Sequence, residues 1–232
     1  MKTLLSVAAA TIAFSVMGVQ QVGVTAITTT NKNTIVSVPF TSLGGGETIT
    51  AKELVKTRGL VEGTQLYVFS GGSYTAWVLS GNEWVAAATS YLNDQGATVN
   101  VPADTNTALA PGDAIWLIRP SADTAASKTF YVYGTPWAPT TKTIANGYNL
   151  VANPRQAAKT FTVANPVSGD QILIPEDGSP RLYTYKTRVV NEVTEGQWRK
   201  NGTTATLPSI DTGLGFWYIS KGSGATTITW AD

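Results

Sequence analysis

The chain has 232 residues with 16 basic and 15 acidic side chains, which gives a formal net charge of +1. Only 13% of its residues are charged and no basic run occurs, which argues against a nucleic-acid or anionic-membrane surface. The chain contains no histidine and no cysteine. These absences exclude a Ser-His-Asp triad, a Cys-His nucleophile and a histidine-ligated zinc site, and they leave stability to packing without disulfides.

The N-terminal residues have the features of a secretory signal peptide. Lys2 precedes an apolar run over residues 4–19, which polar residues end. Val24 and Ala26 stand where a signal peptidase requires small residues, so we expect residues 1–26 to form the leader, with cleavage after Ala26. A retained membrane anchor is the alternative, but the run is short for a bilayer. We therefore expect an exported protein, extracellular, at the cell surface or in the periplasm, with no membrane span in the mature chain.

Internal similarity divides the mature chain into two copies of one pattern. The shared landmarks, with the first copy named first, are residues 35–39 and 150–154, residues 66–69 and 182–185, Trp84 and Trp198, residues 112–118 and 213–219, and residues 129–133 and 226–230. We predict a first β module over residues 27–134, a connector over residues 135–146 and a second β module over residues 147–232. The sequence leaves open whether the two modules share one core.

Short strands and glycine turns dominate the predicted secondary structure. The pairs at residues 71–72 and 81–82 suit two-residue hairpins, and the one helical pattern, at residues 51–57, spans barely two turns. We expect an all-β fold of two tandem homologous antiparallel β-sandwich or barrel-like modules, with very little helix. Glycine turns lead into predicted core strands that carry Trp116 and Trp217. The strands are shorter than those of an outer-membrane barrel.

Two motifs of the second copy resemble a known family. Residues 147–154 (G-Y-N-L-V-A-N-P), followed by residues 213–217 (G-L-G-F-W), resemble the G-[WY]-N-L-x-x-N-P … G-x-G-F-W modules of an uncharacterised family of exported, duplicated β-rich proteins of Gram-negative bacteria. The first copy departs from this pattern at Val38 and Ala114. The resemblance implies an exported location and a duplicated β architecture, and it implies no activity.

Acidic residues supply the motifs that most invite a catalytic interpretation. Asp211-Thr212-Gly213 has the D-T-G of aspartic proteases, but the matching position of the first copy is Ala110, so the second aspartate is missing. Glycoside hydrolysis needs two carboxylates, and the candidates lie in predicted turns typical of solvated side chains. These candidates are Glu83, Glu176, Asp177 and Glu192.

The glycine-flanked acidic turns at residues 93–96 and 176–178 invite comparison with calcium-binding loops. Both lack the D-x-D-x-D-G spacing of such loops, so ordinary turns are favoured. We therefore expect no metal and no cofactor, and we interpret the chain as non-enzymatic.

Aromatic side chains remain as candidates for ligand binding, because tryptophan faces stack on sugar rings. The chain has seven tryptophans, five of which occupy predicted core or repeat positions. Trp77, which has no aromatic counterpart in the second copy, and Trp137, which lies between prolines, are the predicted exposed ligand-binding residues. Packing between the modules is the alternative use for both.

These observations favour a non-catalytic structural or interaction protein of the bacterial envelope or extracellular space. The alternative is a carbohydrate-binding protein that uses exposed aromatic residues. We expect the partner to be a protein or polysaccharide of the cell surface, and we expect no nucleic-acid partner. Open sheet edges, for example at residues 161–163, would also allow self-assembly.

Overall fold

The computed structural model describes residues 22–29, 32–44, 46–70, 73–92, 96–103, 107–136, 141–155, 157–175, 180–222 and 226–231. Within these residues the chain forms 22 strands and one four-residue helix. All strand pairs of the sheets are antiparallel. The all-β fold class predicted from the sequence is confirmed.

Up to Pro136 the elements are β1 (Gly23–Thr29), β2 (Asn33–Ser37), β3 (Phe40–Thr41), β4 (Ile49–Thr50), α1 (Ala51–Leu54), β5 (Val55–Lys56), β6 (Gln65–Ser70), β7 (Ser73–Ser80), β8 (Glu83–Ala86), β9 (Thr89–Leu92), β10 (Thr98–Val101), β11 (Ala108–Leu109), β12 (Ala114–Ile118) and β13 (Lys128–Pro136). From Thr141 onward they are β14 (Thr141–Ile144), β15 (Gly147–Ala152), β16 (Phe161–Ala164), β17 (Gln171–Ile174), β18 (Arg181–Val190), β19 (Val193–Lys200), β20 (Thr203–Thr204), β21 (Gly215–Ser220) and β22 (Thr226–Trp230).

Two sheets enclose the core of the part up to Pro136, which we call the N-terminal sandwich. One sheet has the order β2-β12-β6-β7-β8, and in the other β13 pairs with β1, β3 and β5. Ile115 and Leu117 of the first sheet pack in one cluster with Phe130 and Val132 of the second. Short helix α1 lies beside this core, and its Thr50 and Glu53 form a capping box.

Two further sheets enclose the core of the part from Thr141 onward, the C-terminal sandwich. Their orders are β15-β21-β17-β18-β19-β20 and β14-β22-β16. Phe216 and Tyr218 of the larger sheet pack with Phe161, Ile228 and Trp230 of the smaller one. The stacked rings of Phe161 and Phe216, with centroids 4.8 Å apart, join the two sheets.

Strand alternation places Trp116 and Trp217 outside these two cores. In β12 the fully buried Ile115 and Leu117 face the core, so Trp116 lies half-buried on the opposite face of the sheet. In β21 Phe216 and Tyr218 face the core, and Trp217 is likewise half-buried on the other face. The predicted core strands are therefore confirmed, but the tryptophan side chains that they carry face away from the sandwich cores.

The two sandwiches meet along a seam formed by β2, β12, β15 and β21. Ser37 N donates to Gly213 O at 2.9 Å, and Ala152 N donates to Gly112 O at 3.4 Å. The Ser37 hydroxyl donates to Asn153 O at 2.5 Å. The buried apolar residues of the seam are Ile35, Ala114, Leu150 and Ala152. The seam thus combines backbone hydrogen bonds with small, closely packed side chains.

Glycine permits the close approach of the two sandwiches at the seam. Gly213 has a φ of +78°, and a Cβ atom there would lie 2.6 Å from Cγ1 of Ile27. A Cβ atom on Gly215 would lie 2.5 Å from Val151 O and 2.7 Å from Cγ2 of Ile35. The glycine turn predicted ahead of Trp217 is confirmed, and its second glycine is required by the close approach of both its own sandwich and the other one.

Sheet order corrects one of the sequence matches. Residues 66–69 lie in β6, next to the central strand β12, whereas residues 182–185 lie in β18, which β17 separates from β21. The strand in the place of β6 is β17. The residues that lead into β17, 167–171 (V-S-G-D-Q), resemble those that lead into β6, 61–65 (V-E-G-T-Q). The match of residues 66–69 with residues 182–185 is wrong because short aromatic strands resemble one another without occupying the same place in a sheet.

Strands also occupy both ends of the predicted connector, residues 135–146. Strand β13 continues to Pro136, and β14 pairs with β22 in the C-terminal sandwich. Residues 23–26, which cleavage after Ala26 would remove, pair with residues 131–134 as the first part of β1. Residues 1–21 of the predicted leader lie outside the described residues.

Strands β18 and β19 extend beyond the sheet as a two-stranded ribbon, residues 186–197. In the N-terminal sandwich the β7–β8 hairpin has one cross-strand pair beyond Leu79↔Trp84, whereas β18–β19 has five beyond Tyr185↔Trp198. Val189 and Val193 are 71% and 61% exposed at the end of this ribbon.

Candidate functional site

The structure places the first predicted ligand-binding residue, Trp77, in the core of the N-terminal sandwich. Its side chain is only 6% exposed and lies opposite the fully buried Leu66 of β6. At the same place in the C-terminal sandwich, the buried Tyr183 lies opposite Ile172. The predicted exposure of Trp77 is therefore wrong, because β7 turns this side chain toward the core, and its predicted lack of an aromatic counterpart is also wrong. The second residue, Trp137, lies outside the described residues.

Aromatic side chains from both sandwiches gather at the seam instead. Trp217 lies 5.6 Å from Phe69 and 6.1 Å from Tyr74, measured between ring centroids, with near-perpendicular ring planes. Tyr74 in turn lies 6.0 Å from Trp116, and Tyr148 lies 6.2 Å from Trp217. Edge-to-face pairs of this kind stabilise the contact beyond simple burial. Of these rings Tyr148 is the one at the surface, with 61% of its side chain exposed. The cluster therefore fastens the two sandwiches together.

A cleft of about 480 Å³ opens at another part of the seam. Its apolar lining includes Ile35 and Leu214, one from each sandwich. The polar residues that line it are Thr28, Thr29, Asn33, Thr34, Arg181, Ser209 and Asp211. Thr29 and Thr34 are joined by a 2.7 Å hydrogen bond between their hydroxyls. The cleft thus offers hydroxyl, amide, carboxylate and guanidinium groups, which form hydrogen bonds with polyhydroxyl ligands.

Sequence reasoning missed the cleft, because its walls come from distant segments. The sequence predicts that Asp211 belongs to a turn, and the turn is confirmed by the 3.1 Å hydrogen bond from Leu214 N to Asp211 O. The exposed carboxylate of Asp211 nevertheless lines the cleft. The available sequence signal is the concentration of threonine and asparagine over residues 28–34.

Asp170 is a fully buried carboxylate whose partners all belong to the C-terminal sandwich. It accepts hydrogen bonds from the Tyr218 hydroxyl at 2.7 Å, from Val167 N at 2.9 Å and from Lys221 N at 2.7 Å. Burial raises the pKa of the Tyr218 phenol above its ordinary value of 10.0, and the hydrogen bond to Asp170 raises this pKa further. The carboxylate therefore ties a turn to the end of β21, as a structural group.

Two of the remaining acidic candidates, Glu83 and Glu192, lie in the part of the chain that the structure describes. Glu83 is exposed at the start of β8, and Glu192 is exposed in the β18–β19 turn with a φ of +66°. Glu176 and Asp177 lie outside the described residues, as does most of the turn at residues 93–96. In the described part of the chain, no three acidic residues gather where they would hold a metal ion.

No helix in the described ranges has the length and apolar character needed to cross a bilayer. No protein-family model, curated protein or solved structure matches this chain.

Proposed function

We propose that this chain is a non-catalytic exported protein with a structural or interaction role in the bacterial envelope or extracellular space. In this proposal it consists of two homologous modules of the kind that its G-Y-N-L-V-A-N-P and G-L-G-F-W motifs resemble. The apolar N-terminal run of the sequence supports export. The absence of cysteine removes thiol nucleophiles, and the absence of histidine removes the commonest proton-transfer group.

The ribbon at residues 186–197 is the observation that carries this proposal. Exposed apolar residues at the end of a projecting element are typical of a surface that contacts another molecule. Val189 is 71% exposed, and Val193 is 61% exposed, although the sandwich beside them has a well-packed core. The five cross-strand pairs beyond Tyr185↔Trp198 are not needed to close the β18–β19 hairpin, so the ribbon is available for contact with another molecule.

The seam supports the proposed duplication. Under the sequence match of residues 35–39 with residues 150–154, Ser37 corresponds to Ala152 and Gly112 corresponds to Gly213. The hydrogen bonds Ser37 N to Gly213 O and Ala152 N to Gly112 O are then equivalent under exchange of the two halves. Two related modules that pack about an approximate two-fold axis produce this reciprocity.

Photocrosslinking in living cells tests the interaction role. A photoreactive phenylalanine analogue at Val189 is expected to give a discrete crosslinked product on the exported chain. The same analogue at Glu47, an exposed residue of the N-terminal sandwich, is the control. Equal crosslinking at both positions, or a chain that stays in the cytoplasm with its leader attached, contradicts the proposal.

Carbohydrate binding is the second candidate function, and the seam cleft is the observation that favours it. A volume of about 480 Å³ lined by both polar and apolar residues suits one or two sugar rings. This site differs from the predicted aromatic one, of which Trp77 is buried.

Calorimetric titration with a panel of oligosaccharides separates the two proposed sugar sites. If the cleft binds, Asp211→Ala abolishes the heat of binding, while Glu47→Ala leaves it unchanged. Loss of binding in Trp137→Ala with normal binding in Asp211→Ala would favour the aromatic site instead. The absence of any saturable heat would contradict both versions of this candidate.

A further inference from the structure

Both edges of the ribbon lack a β-strand partner among the described residues. Strand β17 pairs only with residues 181–184 of β18, and β20 pairs only with Arg199 and Lys200 of β19. The Thr187 N–H points across the β18 edge, where it donates to Ser168 Oγ at 3.4 Å. By strand alternation, the Val189 N–H points the same way. The end of β18 therefore presents a free edge to which another strand can be added.

The β18 edge of the ribbon carries basic side chains. Lys186 and Arg188 share one face of the strand with Val190, and both are exposed. Arg188 pairs with Glu195 at 3.0 Å, and no ion pair is formed by Lys186 within the described part of the chain. The sequence from residue 141 to the end contains nine basic and seven acidic residues. An acidic partner strand therefore fits this edge best.

Strand β8 of the N-terminal sandwich has the complementary properties. It is the last strand of its sheet, and its outward face carries the exposed Glu83 and the 46% exposed Val85. Glu62 lies at the adjoining turn, where it accepts a hydrogen bond from Gly81 N at 3.0 Å. The sequence up to residue 136, without the leader, has eight acidic and six basic residues.

In the C-terminal sandwich, the strand that corresponds to β8 has a further strand paired to its outer edge. Strand β19 occupies the place that β8 has in the N-terminal sandwich, and β20 adds to its outer edge. No described strand adds to β8. The β7–β8 hairpin has a two-residue turn, with positive φ at Gly81 and Asn82. In such a hairpin Ser80 and Glu83 form a hydrogen-bonded pair and the next pair, Leu79 and Trp84, does not. The backbone N–H and C=O of Trp84 therefore point toward the open edge of the sheet.

We infer that the β18 edge of the ribbon docks on β8 of a second copy of this chain. With Val189 antiparallel to and opposite Trp84, Val190 lies opposite Glu83 and Arg188 lies opposite Val85. The diagonal from Arg188 to Glu83, which long side chains can span, then places opposite charges together. The contact is head-to-tail, so each copy offers a ribbon to one neighbour and an edge to the next. This inference rests on the proposed structural or interaction role.

Disulfide crosslinking tests the register directly, because the chain has no cysteine of its own. The exported chain with Val190→Cys is mixed with the exported chain with Glu83→Cys under mild oxidation. The inference predicts a disulfide-linked dimer in the mixture, because directly opposite positions of an antiparallel pair lie within disulfide reach. Val190→Cys mixed with Glu47→Cys is the matched control and is expected to stay unlinked. Equal crosslinking in both mixtures overturns the inference.

Sedimentation of the unmodified chain separates this inference from the proposed function. Oligomers that grow with protein concentration and dissociate in high salt are expected. Glu83→Arg should weaken association about tenfold, and a mixture with Arg188→Glu should restore it. Oligomers whose association neither substitution changes would overturn the ribbon contact, but they would remain compatible with a structural role. A monomer at every concentration overturns self-assembly, and the interaction role then depends on the photocrosslinking result.

Discussion

At the scale of single residues, the Asp170 carboxylate shows how this cysteine-free chain fixes its turns. A buried charge costs free energy unless hydrogen bonds satisfy it. Three donors from separate places in the sequence surround Asp170, namely Tyr218, Val167 and Lys221. The corresponding residue of the N-terminal sandwich is Thr64, whose hydroxyl donates within its own turn, to Val61 O at 2.7 Å. The buried carboxylate of the C-terminal sandwich thus depends on more hydrogen bonds than the hydroxyl at the corresponding place in the N-terminal sandwich.

Removing the Tyr218 hydroxyl tests this cluster. Tyr218→Phe should lower the free energy of unfolding at neutral pH by about 1–3 kcal/mol, because Asp170 stays buried with one donor fewer. Urea unfolding measures the loss, and Tyr148→Phe, at an exposed position, is the control. A cost no larger than that of the control would show that Asp170 does not depend on this hydrogen bond.

The raised pKa of Tyr218 also predicts a pH dependence. Because the folded chain holds this pKa above that of an unfolded tyrosine, the stability contributed is complete below about pH 10. It is lost as the pH rises further, toward the raised folded value. Between pH 9 and pH 11, Tyr218→Phe should therefore lose less stability than the unsubstituted chain. Parallel pH profiles for the two proteins would contradict this assignment.

Gly215 is a second position at which one atom decides packing. Gly215→Ala would bring a Cβ atom against Val151 O and Ile35, and backbone atoms cannot move aside cheaply. The expected cost is about 1–3 kcal/mol, as for other overpacked sites. Gly44→Ala is the control, since its Cβ would find no atom closer than 3.8 Å. Equal melting temperatures for the two variants would show that the seam relaxes.

At the scale of elements, the sequence predicted strands and turns better than it predicted which way their side chains face. Residues 214–219 are apolar on both faces of the strand, so alternation alone does not tell core from seam. Phe216 faces the sandwich core because β22 and β16 cover it, and Trp217 faces the seam because Phe69 and Tyr74 approach from the other half. Only the position of the second sandwich makes this distinction.

Sites formed between distant segments were also beyond the reach of the sequence. Thr28 and Asp211 line one cleft although they lie far apart in the chain, and no motif links them. Trp77 was misjudged for a related reason, since its counterpart in the C-terminal sandwich, Tyr183, is found only through sheet order. The glycine ahead of Trp217, by contrast, was predictable, because its φ of +78° follows from local turn geometry.

Strand β1 carries a prediction about processing of the leader. Residues 23–26 pair with β13, and Thr25 is only 7% exposed within that pairing. The free energy of unfolding of a chain that begins at Ile27 should therefore be about 1–3 kcal/mol lower than that of a chain that begins at Val22. Mass spectrometry of the exported protein is expected to place its first residue before Gly23. A native N-terminus at Ile27, with equal stability of the two chains, would instead support cleavage after Ala26.

At the scale of the whole molecule, the seam decides whether the two sandwiches behave as one body. Its contacts include reciprocal backbone hydrogen bonds, an ion pair between Lys142 and Asp113, and the aromatic cluster. The ion pair is about a quarter exposed on both side chains, so its contribution is small. The close packing around Gly215 and the ring contacts of Trp217 therefore stabilise the seam more than this ion pair does.

These seam contacts predict cooperative unfolding. Calorimetry of the exported chain should give one transition whose calorimetric and van't Hoff enthalpies agree, because separating the sandwiches exposes Ile35, Leu150 and the aromatic rings. Phe69→Ala combined with Trp217→Ala should split this transition in two, and the pair should show a coupling energy of about 0.5–1.5 kcal/mol. Phe69 and Trp217 lie outside both sandwich cores, so each sandwich is expected to keep its fold in the double variant. Two transitions already present in the unsubstituted chain would mean that the sandwiches fold separately and that the seam only holds them side by side.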